Sequence, residues 1–588
     1  MIFEAIYHRS GNSYCYAYDD KQVHIRLRTK KDDLQIVKAI YGDKYDWERT
    51  VSEKLLYKLA SDEFFDYWQA EIAPPHLRLR YAFELVSGDL TYWYTESGFF
   101  KEKPNDPLRF FDYPFLWSSE VLKPPGWVKE AIFYQIFPER FANGDPTNDP
   151  AHVRPWKDAS PGQQDFHGGD LQGVLDRIDY ISSLGVNAIY FTPIFEAKTN
   201  HKYDTTDYLK VDSHFGDIQL LKKLVRAFHD RGIRVILDAV FNHSGFCFAP
   251  FQDVIKKGPD SAYWDWFHVQ EYPIQYDPRP FYHCFAFEAH MPKLNTSNPE
   301  VRNYLIYVAQ FWVKECDIDG WRLDVANEVD HAFWREFRKE LKSLKPDFYI
   351  LGEIWHDAMP WLQGDQFDAV MNYPATEAMI DFFAKETTDA EQFSQQISRL
   401  LPQYPQQVNE AAFNILGSHD TPRLLTTARN EKRVMLAVLF QFIFLGVPCI
   451  YYGDEVGMRG GQDPDCRRPM VWDAEEQNHD LLAFYRNLIS FRKKHLALQE
   501  GSFQFMYAKN RQLVVRRQHA RESLYICFNQ SEHSASLDFT IHSESSPEIC
   551  MGDGSYKVSN NEISVSLPPF GWIVLAASLE AFDKENSV

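Results

Sequence analysis

The sequence lacks cysteines at the spacing of a metal or disulfide motif, and it lacks a long apolar run. Its eight cysteines are scattered along the chain without a C-x-x-C pair, so neither a zinc site nor a disulfide framework is indicated. Cysteines spread in this way are typical of small buried residues that stay reduced in a reducing compartment. No window reaches the roughly 18 consecutive apolar residues that a transmembrane helix requires. We therefore expect free thiols and no membrane partner.

Positive charge is also scarce in this chain. It carries 62 Lys and Arg against 83 Asp and Glu, a formal net charge of −21 that repels phosphate backbones and anionic lipid surfaces. It contains no G-x-x-x-x-G-K or G-x-G-x-x-G motif, and residues 1–10 lack the apolar stretch of a secretory leader. These absences predict a cytoplasmic protein that has no nucleic-acid partner and no nucleotide cofactor.

What is present is a globular composition, with 45% hydrophobic and 25% charged residues, and short alternating runs at both ends of the chain. Near the N-terminus, His24 to Arg28 and Leu77 to Phe83 alternate and are separated by turn signals, a pattern typical of a β-sandwich. The Pro124-Pro125-Gly126 segment then indicates a linker. We assign residues 1–123 to an N-terminal β-sandwich.

The middle of the chain alternates apolar runs of strand length with amphipathic runs of helix length, such as Gln219 to Arg231. This alternation indicates βα units around a parallel sheet. Eight strand-like runs predict a closed (β/α)₈ barrel. The runs are Ile132 to Phe137, Ala188 to Thr192, Arg234 to Ala239, Gly320 to Leu323, Tyr349 to Gly352, Ala369 to Met371, Asn414 to Leu416 and Pro448 to Tyr452.

The third and fourth runs are separated by far more than one helix. We expect the intervening residues 244–298, which are rich in Trp, Tyr, Phe and Pro, to form a lobe beside the barrel mouth. The barrel itself then comprises residues 124–243 and 299–500. Short alternating runs return after it, so residues 501–588 are assigned to a C-terminal β-sandwich. The predicted fold class is an α/β barrel flanked by two β domains.

Three carboxylates, Asp324, Glu353 and Asp420, each follow an apolar run, at the end of a barrel strand where catalytic residues collect. One such residue alone is more often a helix N-cap or part of a buried ion pair. Three together, with His243 and His419 at neighbouring strand ends, favour an active site instead.

The surroundings of two carboxylates suggest different roles. Side chains alternate along a strand, so Arg322 points to the same side as Asp324, and its guanidinium is expected to keep that carboxylate ionised. Glu353 lies among apolar and aromatic residues, which are expected to raise its pKa. An ionised carboxylate beside a protonated carboxyl group is the pair that retaining glycoside hydrolysis requires.

Five segments in order along the chain resemble conserved regions of the α-amylase superfamily, glycoside hydrolase family 13. Two features, Met291 to Asn295 (MPKLN) and Val325 to Glu328 (VANE), are similar to signatures of its neopullulanase, cyclomaltodextrinase and maltogenic amylase group. The first of these features is one of the five segments, and the second lies within another of them. The remaining four segments are Asp238 to His243 (DAVFNH), Gly320 to His331 (GWRLDVANEVDH, which contains VANE), Glu353 to His356 (EIWH) and Leu416 to Asp420 (LGSHD).

The resemblance implies Asp324 as the nucleophile, Glu353 as the acid/base and Asp420 as the stabiliser of the transition state. It also implies that Arg322 orients the nucleophile. The remaining residues implied to bind sugar are His201, Tyr203, Asp204, His243 and His419 around the ring that is attacked, Asp463 and Arg467 on the non-reducing side, and Phe285, Glu328 and Trp355 on the acceptor side.

A polar loop after the first barrel strand offers oxygen ligands of the kind that calcium binds. The residues alone favour a plain Asx-turn loop over a calcium site. The resemblance implies a structural calcium ion there, held by Asn143, Asp145, Asn148, Asp149, Gly168 and Asp170.

The implied activity is hydrolysis of α-1,4 and some α-1,6 bonds in cyclodextrins, pullulan and maltooligosaccharides, with transglycosylation. An α-glucosidase or a glucanotransferase would use the same carboxylates, and a noncatalytic glucan-binding protein would not need them. The resemblance also implies a homodimer through the N-terminal domain. We expect some of that domain's aromatic side chains to be exposed for this contact, and the candidates are Tyr45, Trp47, Trp68, Tyr92 and Trp93.

Overall fold

A computed structural model describes residues 1–104, 107–157, 161–277, 279–541, 546–559 and 562–578. Two antiparallel sheets of orders β1-β2-β6-β5 and β4-β3-β7-β8-β9, the second with β10 paired to β7, form the N-terminal sandwich. Its strands are β1 Cys15–Ala17, β2 Val23–Lys30, β3 Ile36–Gly42, β4 Ser52–Leu55, β5 Tyr57–Ser61, β6 Phe65–Ile72, β7 Leu79–Ser87, β8 Leu90–Thr95, β9 Gly98–Phe100 and β10 Phe111–Tyr113, with the short helix α1 Trp47–Thr50.

The five aromatic residues proposed for the exposed surface of this domain differ in their burial. Tyr45 is 78% exposed. Trp68 and Trp93 are buried, so the prediction is wrong for these two residues. The indole N–H of Trp68 donates to the Thr29 hydroxyl at 3.0 Å inside the sandwich, which explains how a polar ring is accommodated there.

The N-terminal sandwich packs against the barrel of its own chain through a buried arginine. The guanidinium of Arg26 donates to the carbonyl oxygens of Pro402 (3.1 Å) and Tyr404 (2.7 Å), and to the Gln69 side chain at 2.7 Å within the sandwich. In the opposite direction, the side-chain amide of Gln407 in the barrel domain donates to the Ala17 carbonyl of the sandwich at 2.8 Å. The two domains are therefore joined by buried polar groups, which are costly to separate.

Eight parallel strands form the central sheet in the order β18-β17-β16-β15-β12-β11-β20-β19, and a parallel bridge between Met371 and Phe413 joins its two edges into a barrel. Seven of the eight strands lie where the sequence predicts them, and the other, β19, shares only Asn414 with its predicted run. The strands are β11 Phe133–Ile136, β12 Ala188–Phe191, β15 Arg234–Ala239, β16 Gly320–Leu323, β17 Tyr349–Gly352, β18 Ala369–Val370, β19 Phe413–Asn414 and β20 Val447–Tyr451, with the hairpin β13 Phe195–Ala197 and β14 Thr205–Val211 after β12.

The helices of this part of the chain cover the barrel. The helical stretch over residues 171–184 is divided into two at Arg177, and residues 353–368, between β17 and β18, form no α-helix. The helices are α2 Pro138–Phe141, α3 Leu171–Asp176, α4 Ile178–Leu184, α5 Ile218–His229, α6 Ala249–Lys257, α7 Pro299–Cys316, α8 His331–Leu344, α9 Tyr373–Met379, α10 Ala390–Leu400, α11 Gln406–Ala411, α12 Leu424–Ala428, α13 Glu431–Ile443, α14 His479–Lys494 and α15 Leu496–Gln499.

The long helices begin at side chains that satisfy free backbone N–H groups. Asp217 caps α5, Asp330 caps α8, and Asn298 caps α7, whose first residue is proline. Asp389 and Gln392 form a reciprocal capping box at α10. The apolar faces of these helices pack on the outside of the strands. Phe133, Tyr349 and Phe413 belong to a separate core inside the barrel.

The segment between β15 and α7 folds as a lobe on the barrel mouth. It contains α6, and its returning part pairs with the end of β15 through an antiparallel bridge between His243 and Lys293. Trp266 is buried there and donates from its indole nitrogen to a Glu300 carboxylate oxygen at 3.0 Å. This contact packs the lobe onto α7 of the barrel.

The C-terminal sandwich has sheets of orders β21-β22-β23-β28-β25 and β24-β27-β26. The last ten residues of the predicted domain, 579–588, lie outside the described residues. All eight cysteines are free thiols, as predicted, and no helix in the described ranges is long and apolar enough to span a membrane. The strands are β21 Ser502–Lys509, β22 Gln512–His519, β23 Glu522–Asn529, β24 Ala535–Thr540, β25 Glu548–Gly552, β26 Ser555–Ser559, β27 Glu562–Leu567 and β28 Trp572–Ser578.

Candidate active site

Strand register brings the acidic residues together at the barrel mouth. Asp238 on β15 lies opposite Arg322 on β16, so both side chains point to the same side. The parallel hydrogen bonding continues one residue beyond the strands: Asp324 N–H donates to the Ala239 carbonyl at 3.1 Å, and Glu353 N–H to the Leu323 carbonyl at 3.0 Å. Asp324 and Glu353 therefore occupy corresponding positions on adjacent strand ends.

The guanidinium of Arg322 joins three carboxylates. Its Nη1 lies 2.8 Å from Asp324 Oδ1 and 3.0 Å from Asp238 Oδ2, and its Nη2 lies 2.8 Å from Glu353 Oε2. The sequence predicted that Arg322 pairs with Asp324 and that Glu353 has an apolar environment. The structure confirms the pairing of Arg322 with Asp324. The apolar environment expected for Glu353 is wrong, because the same guanidinium also contacts Glu353, as well as Asp238.

One guanidinium cannot neutralise three buried carboxylates, and Asp324 and Asp238 respond with a raised pKa. Burial is the main cause that raises the pKa of Asp324 well above its ordinary value; Glu353 and Asp238 add to the rise, and Arg322 opposes it. Burial likewise raises the pKa of Asp238 to about 6. Arg322 lowers the pKa of Asp324, as expected, but burial outweighs this effect, so the expectation that Arg322 keeps the carboxylate ionised is wrong.

Glu353 is held by donors from several directions besides Arg322. The backbone N–H of Val325 donates to its Oε2 at 3.0 Å, and the indole N–H of Trp355 donates to its Oε1 at 3.2 Å. Trp355 is itself stacked on Tyr373, with ring centroids 3.6 Å apart. Val325 has φ 45°, which is strained for a β-branched residue and aims its amide at the carboxylate.

The third predicted carboxylate, Asp420, lies across the cleft from these residues. Its Oδ2 is 3.1 Å from His419 Nε2 and its Oδ1 is 3.3 Å from Arg467 Nη2. The Tyr203 hydroxyl lies 2.6 Å from His419 Nε2 and 3.0 Å from Asp238 Oδ2. A continuous polar network therefore runs from Arg467 through Asp420 and His419 to the carboxylate cluster.

A cleft of about 450 Å³ opens over this network. Eleven of the predicted residues line it, together with three that the sequence reasoning missed: Met291, Val325 and Asn327. The predicted lining residues are His201, Tyr203, His243, Phe285, Asp324, Glu328, Glu353, Trp355, Asp420, Asp463 and Arg467.

The other three predicted residues support the cleft from below or behind. Arg322 and His419 are buried beneath it. Asp204 is buried too, and its carboxylate accepts hydrogen bonds from the hydroxyl and the backbone N–H of Thr199. Asp204 therefore fixes the loop that carries His201 and Tyr203, and it does not line the cleft.

Imidazole rings in the cleft are neutral at ordinary pH. Burial lowers the pKa of both His201 and His243 to about 3. Neutral imidazoles both donate and accept hydrogen bonds, which suits them to sugar hydroxyl groups. The ring of Phe285, from the lobe, stacks on His243 with centroids 5.3 Å apart.

Two loops define the ends of the cleft. On one side, the Arg467 guanidinium lies 3.0 Å from an Asp463 carboxylate oxygen and donates to the His419 carbonyl at 2.7 Å. On the other side, Glu328 follows β16, and its carboxylate lies 3.3 Å from the ammonium group of Lys293 on the lobe. The predicted residues of both ends therefore face one cleft.

Further residues that support the site were missed because they lie inside strands. Gln135 on β11 is buried, and its side-chain amide lies 2.8 Å from Nδ1 of His419. The Tyr190 hydroxyl on β12 donates to Asp238 at 2.6 Å. A polar residue at an inward position of an otherwise apolar strand is the signal that could have identified Gln135. Asp238 could have been identified as well, because it is the first residue of the DAVFNH segment.

The predicted calcium loop lies outside this cleft. Asn143 Oδ1 and Asn148 Oδ1 are buried and have no hydrogen-bond partner in the described structure, so two amide oxygens there are available to a cation. A Cβ added at Gly168 would come within 2.3 Å of Asp149 Oδ1, so this carboxylate lies directly over the Gly168 backbone.

Asp170 behaves differently from the other residues of that loop. Its two oxygens accept hydrogen bonds from the N–H groups of Gly144, Asp145 and Gly173 and from the Asn148 amide. It therefore holds the loop in shape. No group of three His, Cys, Asp or Glu side chains able to hold a metal occurs in the described part of the chain, so amide and backbone oxygens would have to supply most ligands.

Comparison with known proteins agrees with this geometry. Residues 135–501 match the family described as the α-amylase catalytic domain, and residues 1–117 match the α-amylase N-terminal Ig-like domain. The chain is 51% identical to a cyclomaltodextrinase of Geobacillus thermopakistaniensis over 98% of this chain and 99% of the relative. It is 44% identical to an intracellular maltogenic amylase of Bacillus subtilis over 98% and 100% of the two chains.

A solved structure of a cyclomaltodextrinase superimposes with a TM-score of 0.93 at 49% sequence identity, covering 98% of this chain and 100% of the other. The match includes both flanking β domains as well as the barrel, since almost the whole of each chain is aligned. The family match covers more than half of the sequence, and the relatives extend over nearly all of it. The chain therefore belongs to the α-amylase family of glycoside hydrolases.

Proposed function

We propose that the protein hydrolyses α-1,4 and some α-1,6 glucosidic bonds in cyclodextrins, pullulan and maltooligosaccharides, with retention of configuration and with transglycosylation. The observation that carries this proposal is the pairing of Asp324 and Glu353 on adjacent strand ends, bound by one arginine at the floor of the cleft. The similarity to cyclomaltodextrinase over the full chain supports the substrate class.

In this proposal Asp324 is the nucleophile and Glu353 is the acid/base. Glu353 protonates the glycosidic oxygen as Asp324 forms a bond to the anomeric carbon and the bond to the leaving group breaks. Glu353 then removes a proton from a water or sugar hydroxyl that displaces Asp324. Cleavage requires the proton on Glu353 while Asp324 is ionised.

The other cleft residues bind the sugar. His201, Tyr203 and His243 present neutral rings and a hydroxyl to the glucose ring that is attacked, His419 supports Tyr203 from beneath the cleft, and Asp420 favours the distorted form of the sugar. Asp463 and Arg467 bind the non-reducing side of the chain. Trp355, Phe285 and Glu328 form the acceptor side, where aromatic faces stack on sugar rings. Arg322 is a positioning residue, because it touches both carboxylates and is buried beneath them.

We propose a structural calcium ion in the loop after β11. The two unpartnered amide oxygens of Asn143 and Asn148, with oxygens of Asp149, Asp145 and the Gly168 backbone, would hold it, and the ion would supply positive charge that fixes the loop. The catalytic carboxylates lie elsewhere, so the chemistry itself needs only side chains of the chain.

We also propose a cytoplasmic homodimer formed through the N-terminal domain. Free thiols and the similarity to an intracellular relative support the compartment. Tyr45 and Trp117, which are 78% and 55% exposed on or near the sandwich, support a surface that pairs with a second subunit. Such a subunit would narrow the cleft and favour compact rings over branched starch.

The decisive experiment incubates the purified protein with β-cyclodextrin, pullulan and soluble starch, and resolves the products by chromatography while NMR records the anomer released first. We expect maltose-sized products from cyclodextrin and initial α-anomers. Release of glucose alone would indicate an α-glucosidase, and disproportionation without net hydrolysis would indicate a glucanotransferase. Glucan binding without any cleavage would refute the proposed enzyme altogether.

A further inference from the structure

Lys293 connects the lobe to both strands that frame the acceptor side of the cleft. Its ammonium group contacts the Asn242 side-chain oxygen at the end of β15. It also donates to the backbone oxygen of Glu328 at 2.9 Å and to the Glu328 carboxylate at 3.3 Å, beyond the end of β16. One cation on the lobe therefore joins oxygen atoms from two other segments of the chain.

The same residue lies in the part of the lobe that carries the cleft wall. Its backbone N–H donates to the His283 carbonyl at 2.9 Å, and its backbone bridges to His243. Two residues earlier, Met291 lines the cleft and accepts a hydrogen bond from the Phe285 N–H at 3.0 Å. A shift of Lys293 would therefore move the lobe wall relative to Glu328.

Glu328 depends on this contact for its position. Its side chain remains 45% exposed and makes an ion pair with Lys293. An exposed glutamate loses side-chain entropy when it is fixed, and a surface ion pair contributes little to stability. The contact of Lys293 with the Glu328 backbone is independent of that ion pair and restrains the loop as well.

We propose that Lys293 is a positioning residue that sets the competition between water and sugar acceptors by holding Glu328 against the lobe wall. It lies beside the acceptor half of the cleft and makes no contact with Asp324 or Glu353 among its recorded hydrogen bonds and ion pairs. Its loss should therefore change the partition of the glycosyl enzyme far more than the cleavage of the donor. This inference rests on the proposed function.

The test measures two quantities separately. Donor cleavage is followed as p-nitrophenol release from p-nitrophenyl α-maltoside, and partition is followed as the ratio of transfer to hydrolysis products at equal conversion, with added maltose as the acceptor. For Lys293→Met we expect donor cleavage within about twofold of the wild type and a partition ratio changed at least threefold. The KM for maltose as acceptor should rise to a similar degree.

Three further variants separate positioning from a general loosening of the lobe. Lys293→Arg, which keeps the cation, should restore the wild-type ratio to within about twofold. Glu328→Gln should change the ratio in the same direction, and the double variant Lys293→Met/Glu328→Gln should change it no more than the larger single variant. Trp266→Phe removes the lobe's bond to Glu300 away from the cleft; it should lower the Tm and leave the ratio unchanged.

The outcomes distinguish the inference from the function on which it rests. Three results would overturn the role of Lys293. The ratio of transfer to hydrolysis could be unchanged in Lys293→Met, the two single-variant effects on it could multiply in the double variant, or Trp266→Phe could change it as much as Lys293→Met does. If circular dichroism shows that Lys293→Met is unfolded, Lys293→Gln replaces it, because glutamine keeps a hydrogen-bond donor without the charge. The same ratio of transfer to hydrolysis is then measured, with the same expected change. A wild-type protein that cleaves no maltoside would instead refute the proposed function.

Discussion

The backbone N–H of Val325 donates to Glu353 Oε2 at 3.0 Å, from a residue whose φ is 45°. A β-branched residue in this region costs on the order of 1–3 kcal/mol and persists only where the surrounding structure imposes it. The strained residue directly follows Asp324, so the same turn carries Asp324 and the amide that binds Glu353. Backbone geometry, and not only side chains, thus orients the proposed acid/base.

The first prediction concerns the two carboxylates. Asp324→Asn and Glu353→Gln should each lower kcat on maltotriose by about 10⁴-fold or more, because each isosteric change removes only the charge or the transferable proton. Circular dichroism and the Tm should show folded proteins. Glu315→Gln, at an exposed glutamate of α7 outside the cleft, serves as a control that keeps the carboxylate cluster intact. Near-normal turnover by Asp324→Asn would exclude a covalent intermediate on that residue.

The pH dependence of activity follows from the cluster. Burial raises the pKa of Asp324, so the acid limb of kcat/KM should lie above the ordinary pKa of 3.8 for an aspartate. The profile should be bell-shaped, since the acid/base must hold its proton, and the optimum should be mildly acidic to neutral. Initial rates on p-nitrophenyl α-maltoside from pH 4 to pH 9 test this. A rate that rises steadily to alkaline pH would contradict a protonated Glu353.

Stability should respond to pH through Asp238. Its pKa is raised to about 6, so the folded state binds a proton that the unfolded state releases more easily. The stabilising contribution of this group is therefore complete below about pH 4 and is lost as the pH rises through about 6. The free energy of unfolding of the wild type, minus that of Asp238→Asn, should fall over this range. A difference that stays constant from pH 4 to pH 7 would show that Asp238 does not titrate there.

Glu328 should influence the fate of the glycosyl enzyme. Glu328→Ala removes a carboxylate from the acceptor side without touching Asp324, so the ratio of transfer to hydrolysis should change more than donor cleavage does. Products from maltotriose at equal conversion provide the measurement, with Glu315→Ala on the far surface of α7 as the control. Identical product ratios would remove Glu328 from the acceptor site.

Calcium should affect stability and not chemistry. Chelation with EDTA should lower the Tm by about 5 °C or more, because a ligand that binds only the folded state stabilises it in proportion to its occupancy. Asp149→Asn should lower the Tm in calcium and respond less to EDTA, while turnover at 25 °C stays near normal in both cases. Isothermal titration with CaCl₂ checks the site directly, and no heat of binding with an unchanged Tm would reject it.

The proposed dimer can be tested at one exposed residue. Tyr45→Ser should shift the protein toward monomer in sedimentation velocity and lower its activity on β-cyclodextrin relative to soluble starch. Tyr307→Ser, at a residue 53% exposed on α7, is the matched control. This point change is preferable to deletion of residues 1–120, which would also strip Arg26 from the barrel carbonyls it satisfies. A variant that remains a dimer with unchanged preference would remove Tyr45 from the interface.

The sequence by itself determined the order of the strands and the residues at their ends. A strand-length apolar run can be recognised from its own residues, without knowledge of the rest of the fold. The motif residues Asp324, Glu353 and Asp420 follow three such runs, so the barrel and its catalytic face could be predicted from short segments of sequence. The cleft residues on the lobe, such as Phe285, could be predicted only through their resemblance to a family, because the lobe has no regular periodicity.

The tertiary structure decided how these residues influence one another. Whether Arg322 serves one carboxylate or three depends on the register of β15, β16 and β17, which no single strand specifies. Whether Trp68 is exposed depends on which face of its strand the second sheet covers. The burial and the electrostatic environment of a residue depend on neighbours that are distant in sequence. The pKa of Asp324, the contacts of Lys293 with Asn242 and Glu328, and the strain at Val325 are therefore set only when the barrel closes.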